Sequence, residues 1–182
     1  MSTATQVTSS GGMKSETAAL GAQLAGKYMT FKLANEEYGL QILKVREIIG
    51  LMDITRVPCA REFIRGVINL RGKVIPVIDL RLKFQMAACE ATDQTVIIVV
   101  QYASAGHQLT MGILVDQVLE VLSIAGNQIE PAPTFGDGGS TDFILGVGKA
   151  EKRVIFLLDI GRVLSGDEAA EMMRAVADSA TA

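Results

Sequence analysis

The sequence has one histidine, two cysteines and no tryptophan in 182 residues, and each scarcity closes off a class of function. Cys59 and Cys89 are too few for a disulfide framework and do not form a Cys-x-x-Cys pair, so both read as reduced thiols. His107, the lone imidazole, lies in the polar stretch 103–108, which reads as a hairpin tip rather than a pocket. Histidine-dependent acid–base chemistry and metal binding therefore lose their usual residues. No loop carries the regular Asp spacing of a calcium site either, so neither metal nor cofactor is expected. Long hydrophobic runs are missing as well: Val96–Val100 and Val154–Leu158 are the longest, at five residues each, against the roughly 20 that span a bilayer. Nor is there an excess of positive charge. With 17 Lys and Arg against 20 Asp and Glu, nothing draws the chain toward nucleic acid or anionic lipid over distance.

Apolar residues make up 49% of the chain, enough for a globular core at a length that suits one domain or two small ones sharing a core. Residues 1–26 are rich in Ser, Thr, Gly and Ala and hold no apolar block of secretory length. They read as a flexible tail rather than a signal peptide, which leaves a cytoplasmic address by default. Tyr28 to Ala34 then alternates apolar and polar residues as a half-buried strand does, and a turn at Asn35-Glu36 begins a hairpin. Val45, Ile48 and Ile49 follow at helical spacing, which predicts a short helix ended by Gly50. Ile54 to Pro58 reads as extended, and Arg61 to Arg65 as one helical turn stopped by Gly66. Strands over 67–71 and 73–78 flank a tight turn at Arg71-Gly72. Pro76 cannot donate to a ladder, so its strand is expected at a sheet edge or at a bulge. A polar connector, 85–93, precedes strands near 95–102, 108–115 and 117–124, and a long loop bearing Gly and Pro covers 126–142. Ser165-x-x-Glu168 has the form of a capping box, opening a helix over 168–178 whose stripe of Met172, Met173 and Val176 either packs on the core or frays.

An internal repeat organises the whole. Residues 63–80 and 143–160 align without a gap, with Phe63/Phe143, Ile64/Ile144, Gly66/Gly146, Val67/Val147, Val74/Val154, Ile75/Ile155 and Asp79/Asp159 identical, seven of eighteen positions. Upstream, Gly39, Val45 and Glu47 match Gly112, Val118 and Glu120 at a constant offset of 73, and Ile54 and Pro58 match Ile129 and Pro133. Glycines and an aspartate recur in register alongside the apolar residues, so the chain reads as two similar small β units in tandem. Units of about 55 to 75 residues are marginal alone. They are therefore expected to share a hydrophobic interface, and the groove at its rim is the place to look for binding.

Catalytic constellations do not assemble. Asp79 and Asp159 hold equivalent positions at strand ends and read as caps for the amides that follow rather than as an acid–base pair. Asp116 and Glu120 lie on a strand-like stretch and take no catalytic role. No activated-serine motif appears. Gly136-Asp137-Gly138-Gly139 lacks the Lys-Ser/Thr and the strand-to-helix setting of a phosphate cradle. Asn69-Leu70-Arg71-Gly72 stands out instead, because the repeat counterpart of Arg71 is Glu151 and the scaffold itself does not demand an arginine there. Glu47 is a candidate ion partner. On these residues alone, a solvated surface pair and an interface anchor both remain open.

Several blocks carry a resemblance in their order: Val45-Arg46-Glu47-Ile48-Ile49-Gly50, Thr55-Arg56-Val57-Pro58, the run from Phe63 to Gly72, Val74-Ile75-Pro76-Val77-Ile78-Asp79-Leu80-Arg81, Phe143-Ile144-Leu145-Gly146 and Val154 to Asp159. Over about residues 27 to 165 the chain is similar to the CheW chemotaxis coupling-protein family. The resemblance implies a mainly β fold: two tandem five-stranded SH3-like β-barrels sharing a hydrophobic core, with short helices and a C-terminal helix. The expected division is a tail, 1–26, a core, 27–165, with subdomains near 27–93 and 94–165 between which the first strand is free to cross, and a C-terminal helix, 166–182. The family is not enzymatic. Its members link the cytoplasmic tips of chemoreceptors (methyl-accepting chemotaxis proteins) to the regulatory domain of a chemotaxis histidine kinase, holding the receptor's helical hairpin in a groove between barrels.

By that pattern Val45, Glu47, Ile48, Leu70 and Arg71 fall on the receptor site, and Arg65, Gly66 and Ile68 on the kinase-binding face. The implied location is cytoplasmic with recruitment to membrane-associated receptor arrays, without insertion into the membrane. A coupling protein of a non-flagellar pathway, such as surface motility or second-messenger control, is the alternative. A barrel that binds nucleic acid or proline-rich peptide is disfavoured by nine aromatics and net negative charge. The absence of a receiver segment weighs against fused coupling-and-receiver relatives.

Overall fold

Alternating side chains at the start of the core give strands β1 (Gly26–Leu33) and β2 (Glu36–Gln41), paired antiparallel from Tyr28↔Gln41 to Leu33↔Glu36. The computed structural model describes residues 10–104, 106–132, 143–164 and 166–180. A 3-10 turn, Ile42–Lys44, leads into β3 (Val45–Gly50). Next come β4 (Ile64–Leu70), β5 (Lys73–Asp79) and the one-turn helix α2 (Leu80–Lys83). Three long strands follow, β6 (Val96–Ser104), β7 (His107–Val115) and β8 (Gln117–Ile124). His107 pairs with Ser104 where β6 turns into β7, at the hairpin tip expected of it. A 3-10 turn at Gly126–Gln128 and the short β9 (Ile129–Glu130) take up part of what reads in sequence as a long loop. The rest of that loop, with Gly136 to Gly139, lies outside the described residues, as does Ser165. The chain then forms β10 (Ile144–Ala150), β11 (Arg153–Leu158), the one-turn helix α3 (Ile160–Val163) and helix α4 (Gly166–Ala180).

The strands make two sheets, ordered β3-β6-β7-β5-β4 and β8-β1-β2-β11-β10-β9. Each curls into a barrel, and the repeat maps one onto the other. Parallel pairing joins β5 to β7 through Val77↔Gly112 and β11 to β2 through Leu157↔Gly39, so the two matched glycines hold the same place. The hairpins β4–β5 and β10–β11 carry the same register shift, between Ile64 and Gly66 and between Ile144 and Gly146. Thr55 bridges Val67 as Glu130 of β9 pairs with Val147. Asp79 accepts the Arg81 amide and Asp159 the Gly161 amide, both at 2.9 Å, which are the caps expected of them. Sheet membership divides the chain differently from a cut near 93/94. The first barrel is built from β3 to β7 without interruption, whereas β1 and β2 join β8 to β11 in the second.

The packing explains the apolar run at Val96. Ile97 and Val99 of β6 face the interior of the first barrel with Ile68, Ile75, Val77 and Leu114. Ile98 and Val100 face the opposite way, into a cluster that also takes Phe31 and Leu40 from the second barrel. A strand buried on both sides needs no polar alternation. Each fully buried Ile or Phe contributes roughly 1.5–3 kcal/mol, so the shared cluster binds the two barrels firmly.

Three local expectations are corrected. The helical spacing of Val45, Ile48 and Ile49 belongs to strand β3. A register shift between Val45 and Glu47 resets the alternation, putting Val45 opposite Val100, Ile48 opposite Ile98 and Ile49 opposite Ile97. Arg61 to Arg65 makes only a turn, closed by Ile64 N–H donating to the Arg61 carbonyl at 2.9 Å, before β4 begins. Pro76 lies on an interior strand rather than an edge, and the β5–β7 ladder runs only over Val77–Asp79, so it begins just past the proline.

The stretch before the core holds helix α1 (Ser10–Leu24), whose Leu20 and Leu24, one turn apart, pack into the second barrel with Ile124, Ile129 and Ile155. Tyr28 Oη donates to the Leu24 carbonyl at 2.6 Å. At the other end α4 packs against β4 and β5, burying Ala169 and Met172. Glu168 accepts from Lys83 at 2.6 Å; the capping box expected at Ser165 falls on a residue outside those described. Among the described residues, no helix is long and apolar enough to cross a membrane.

Candidate functional site

The β4–β5 hairpin turns on two residues in the left-handed region, Arg71 (φ 53°) and Gly72 (φ 84°). Two positive-φ residues match the right-handed twist of the flanking strands. Asn69 Oδ1 accepts from the Gly72 amide at 3.0 Å and fixes the turn. The turn throws the Arg71 side chain across to β3. There its Nη1 and Nη2 donate to Glu47 Oε1 and Oε2 at 3.0 and 2.7 Å, a bidentate pair. That hydrogen bond and the charge behind it raise the Arg71 pKa further above an already basic value.

Because β3 and β4 are the two ends of the first sheet, the pair spans its open seam. Beneath it lies a cavity of about 240 Å³ at the barrel mouth, lined by Leu70, Lys73, Ile75, Val99 and Thr110 together with Arg46, Glu47 and Arg71. Val45 and Ile48 sit on the other face of β3, toward the second barrel. Val45 is half-buried on the shared core, while Ile48 is 42% exposed. The five residues expected at the receptor site thus occupy both faces of one edge strand, the end of β4 and the turn that follows it. They meet along the β3 edge rather than in a single pocket.

The expected kinase face is less uniform. Arg65 is exposed, with Nη1 3.8 Å from Asp79 Oδ2. Ile68 is only 1% exposed and Gly66 is buried, so neither presents a side chain to a partner. A Cβ on Gly66 would lie 2.1 Å from the Thr55 carbonyl oxygen. Gly66 and Ile68 shape β4; of the three, Arg65 reaches outward from it.

Two ionic features escape a reading of sequence. Arg81 Nε donates to Asp116 Oδ1 at 2.7 Å, and the Ala34 amide donates to Asp116 Oδ2 at 2.8 Å. The carboxylate therefore ties α2 of the first barrel to the β1–β2 turn of the second. Burial pushes the Asp116 carboxyl up, but these donors outweigh it and hold the group below its ordinary value. The second barrel also has its own seam pair. Glu120, counterpart of Glu47, accepts from Arg153 Nη1 at 2.6 Å, and Arg153 Nε donates to Glu37 at 2.8 Å. The recurrence of Glu47 as Glu120 marks only the anion of that pair. Its cation is two residues past the counterpart of Arg71, which alignment alone does not show.

Comparison with known proteins follows this geometry. A family model described as the CheW-like domain matches residues 27–168. Chemotaxis protein CheW of Klebsiella aerogenes is 41% identical over 150 residues, covering 82% of this chain and 88% of that protein. Chemotaxis protein CheW of Rhizobium meliloti is 35% identical over 140 residues, with coverage of 77% and 88%. The crystal structure of scaffolding protein TtCheW from Thermoanaerobacter tengcongensis matches with a TM-score of 0.70 at 36% identity, over 80% of this chain and 96% of that one. With its two repeat-related barrels, its bridged seam and these matches, the chain belongs to the CheW-like domain family.

Proposed function

We propose that this chain is a non-enzymatic adaptor that couples the cytoplasmic tips of chemoreceptors to a chemotaxis histidine kinase. The observation that carries the reading is the Glu47–Arg71 pair, standing over a barrel mouth with Leu70, Ile75 and Val99 in its lining and with exposed Ile48 on the other face of β3, in a chain whose relatives are named chemotaxis protein CheW. An apolar edge with a charged rim suits a helix docked in a groove. The adaptor needs no bond-making step. Holding two weak partners together raises their effective concentration, and a receptor changes kinase output when the assembly favours one receptor state. Arg65 and the surface shaped by Gly66 and Ile68 are assigned to the kinase's regulatory domain.

The direct test is Arg71→Glu. The turn keeps its backbone, since Glu151 holds the same left-handed conformation in the second hairpin (φ 57°). The folded variant is expected to lose at least about tenfold in affinity for a receptor cytoplasmic fragment, as interface anchors do. Unchanged binding in a pull-down or titration contradicts the assignment.

A further inference from the structure

The mouth beneath Glu47 and Arg71 opens along β5 and β7 toward α4. A second cavity, of about 260 Å³, lies between those strands and the helix, and Lys73, Ile75 and Thr110 line both spaces. Its floor is apolar, with Leu109 and Met111, and its far wall is one face of α4. On that face Met172 is 2% exposed, whereas Met173 is 49% exposed and forms an open lip with Val176, three residues on. An unbranched thioether beside a valine is an adaptable surface for another helix.

The wall is braced. Lys83 holds Glu168 at 2.6 Å and Arg61 holds Glu171 at 2.7 Å, so α4 stays against the barrel with its apolar lip presented. At the opposite end the rim is cationic, with Arg46, Arg71 and Lys73 against the single anion Glu47. That charge favours a partner helix with acidic residues beside its apolar stripe.

We propose that α4 is the far wall of the receptor-docking site. An amphipathic receptor helix lies along β5, its acidic flank on Lys73 and Arg71 and its apolar stripe on Leu109, Met173 and Val176. The inference rests on the receptor-coupling function proposed above and extends that site beyond β3 and the β4–β5 turn.

The test titrates a soluble receptor cytoplasmic hairpin, and separately the kinase regulatory domain, against the full chain and its Met173→Glu, Lys73→Glu and Arg71→Glu variants. Thermal melts check folding. Met173→Glu and Lys73→Glu are each expected to weaken receptor binding about tenfold, with kinase-domain affinity unchanged and the Lys73→Glu loss shrinking as salt rises. If Arg71→Glu weakens receptor binding while Met173→Glu binds as the parent does, α4 is no part of the site and the inference falls, leaving the coupling function standing. If Met173→Glu weakens the kinase domain or self-association instead, α4 serves another partner and the inference is equally overturned. If all three variants bind receptor as the parent does, the receptor site lies elsewhere and the inference falls together with the assignment of Arg71; a parent chain that binds no receptor hairpin is the result that overturns the coupling function. Should Met173→Glu unfold, Met173→Ser removes the apolar lip without adding charge. It is expected to weaken receptor binding several-fold, and parent-like binding by it overturns the inference.

Discussion

At Gly66 the backbone stands at φ +144°, and a Cβ there would meet the Thr55 carbonyl oxygen at 2.1 Å, inside the bridge that holds residue 55 to β4. At Gly72 the φ is +84° but the space around it is open. Gly66→Ala is therefore expected to lower unfolding free energy by about 3 kcal/mol or more, and Gly72→Ala by only about 1 kcal/mol. Denaturant titration of both variants checks the contrast, and equal losses would contradict it. Two aspartates, Asp79 buried and Asp116 half-buried, are expected to respond to pH with opposite signs. Asp116 has a lowered pKa, so its contribution is complete above the ordinary carboxylate value of about 3.9 and is lost as pH falls through the folded-state value. Asp79 is raised by burial, against the opposing pull of the Arg81 amide and Arg65, so its contribution is greatest in acid and fades as pH rises through its folded-state value. Asp116→Asn is expected to flatten the acid limb of a stability–pH curve. Asp79→Asn, which keeps a capping oxygen, is expected to be tolerated at neutral pH, whereas Asp79→Ala costs about 1 kcal/mol. The roles of Asp79 and Asp159 were legible because both precede a helical turn in register. That of Asp116 was not, because its partners Arg81 and Ala34 lie far from it in the chain.

Among the elements, helix α1 differs most from what the sequence suggests, a flexible tail, whereas α4 falls where a helix is expected. Ser10–Leu24 is rich in small residues and lacks a clear apolar face, and among the described side chains Leu20 and Leu24 are the ones that reach the second barrel's core, so its composition does not mark it as a packed helix. Leu24→Ala is expected to cost about 2–5 kcal/mol, measured by denaturant titration; a loss near zero would mean that α1 is not held on the barrel. Strand β3 was misread for a different reason: the register shift after Val45 turns a two-residue period into an apparent helical one. The turn of hairpin β4–β5 was readable, since Arg71-Gly72 between apolar runs specifies its chemistry, whereas the start of β4 at Ile64 and the interior place of Pro76 were not. The site divides in the same way. Glu47 was a candidate partner for Arg71 from sequence, but their actual pairing, the burial of Gly66 and Ile68 and the junction of the barrel mouth with α4 depend on which strands close the sheet.

For the molecule as a whole, the repeat announces two barrels, yet the chain threads them unevenly, giving β1 and β2 to the barrel that β8 to β11 complete. Phe31 and Leu40 from one barrel share a cluster with Ile98, Val100 and Ile113 from the other. The two are therefore expected to unfold in one cooperative transition; separate thermal transitions would contradict a shared core. A rigid two-barrel body with an edge strand and bridged seam open to partners can connect other proteins without chemistry of its own. The most direct measurement of that role is kinase autophosphorylation in mixtures of histidine kinase, receptor fragment and this chain. Stimulation is expected only when all three are present, with co-sedimentation of the chain. Kinase activity indifferent to the chain, with no co-sedimentation, would contradict it.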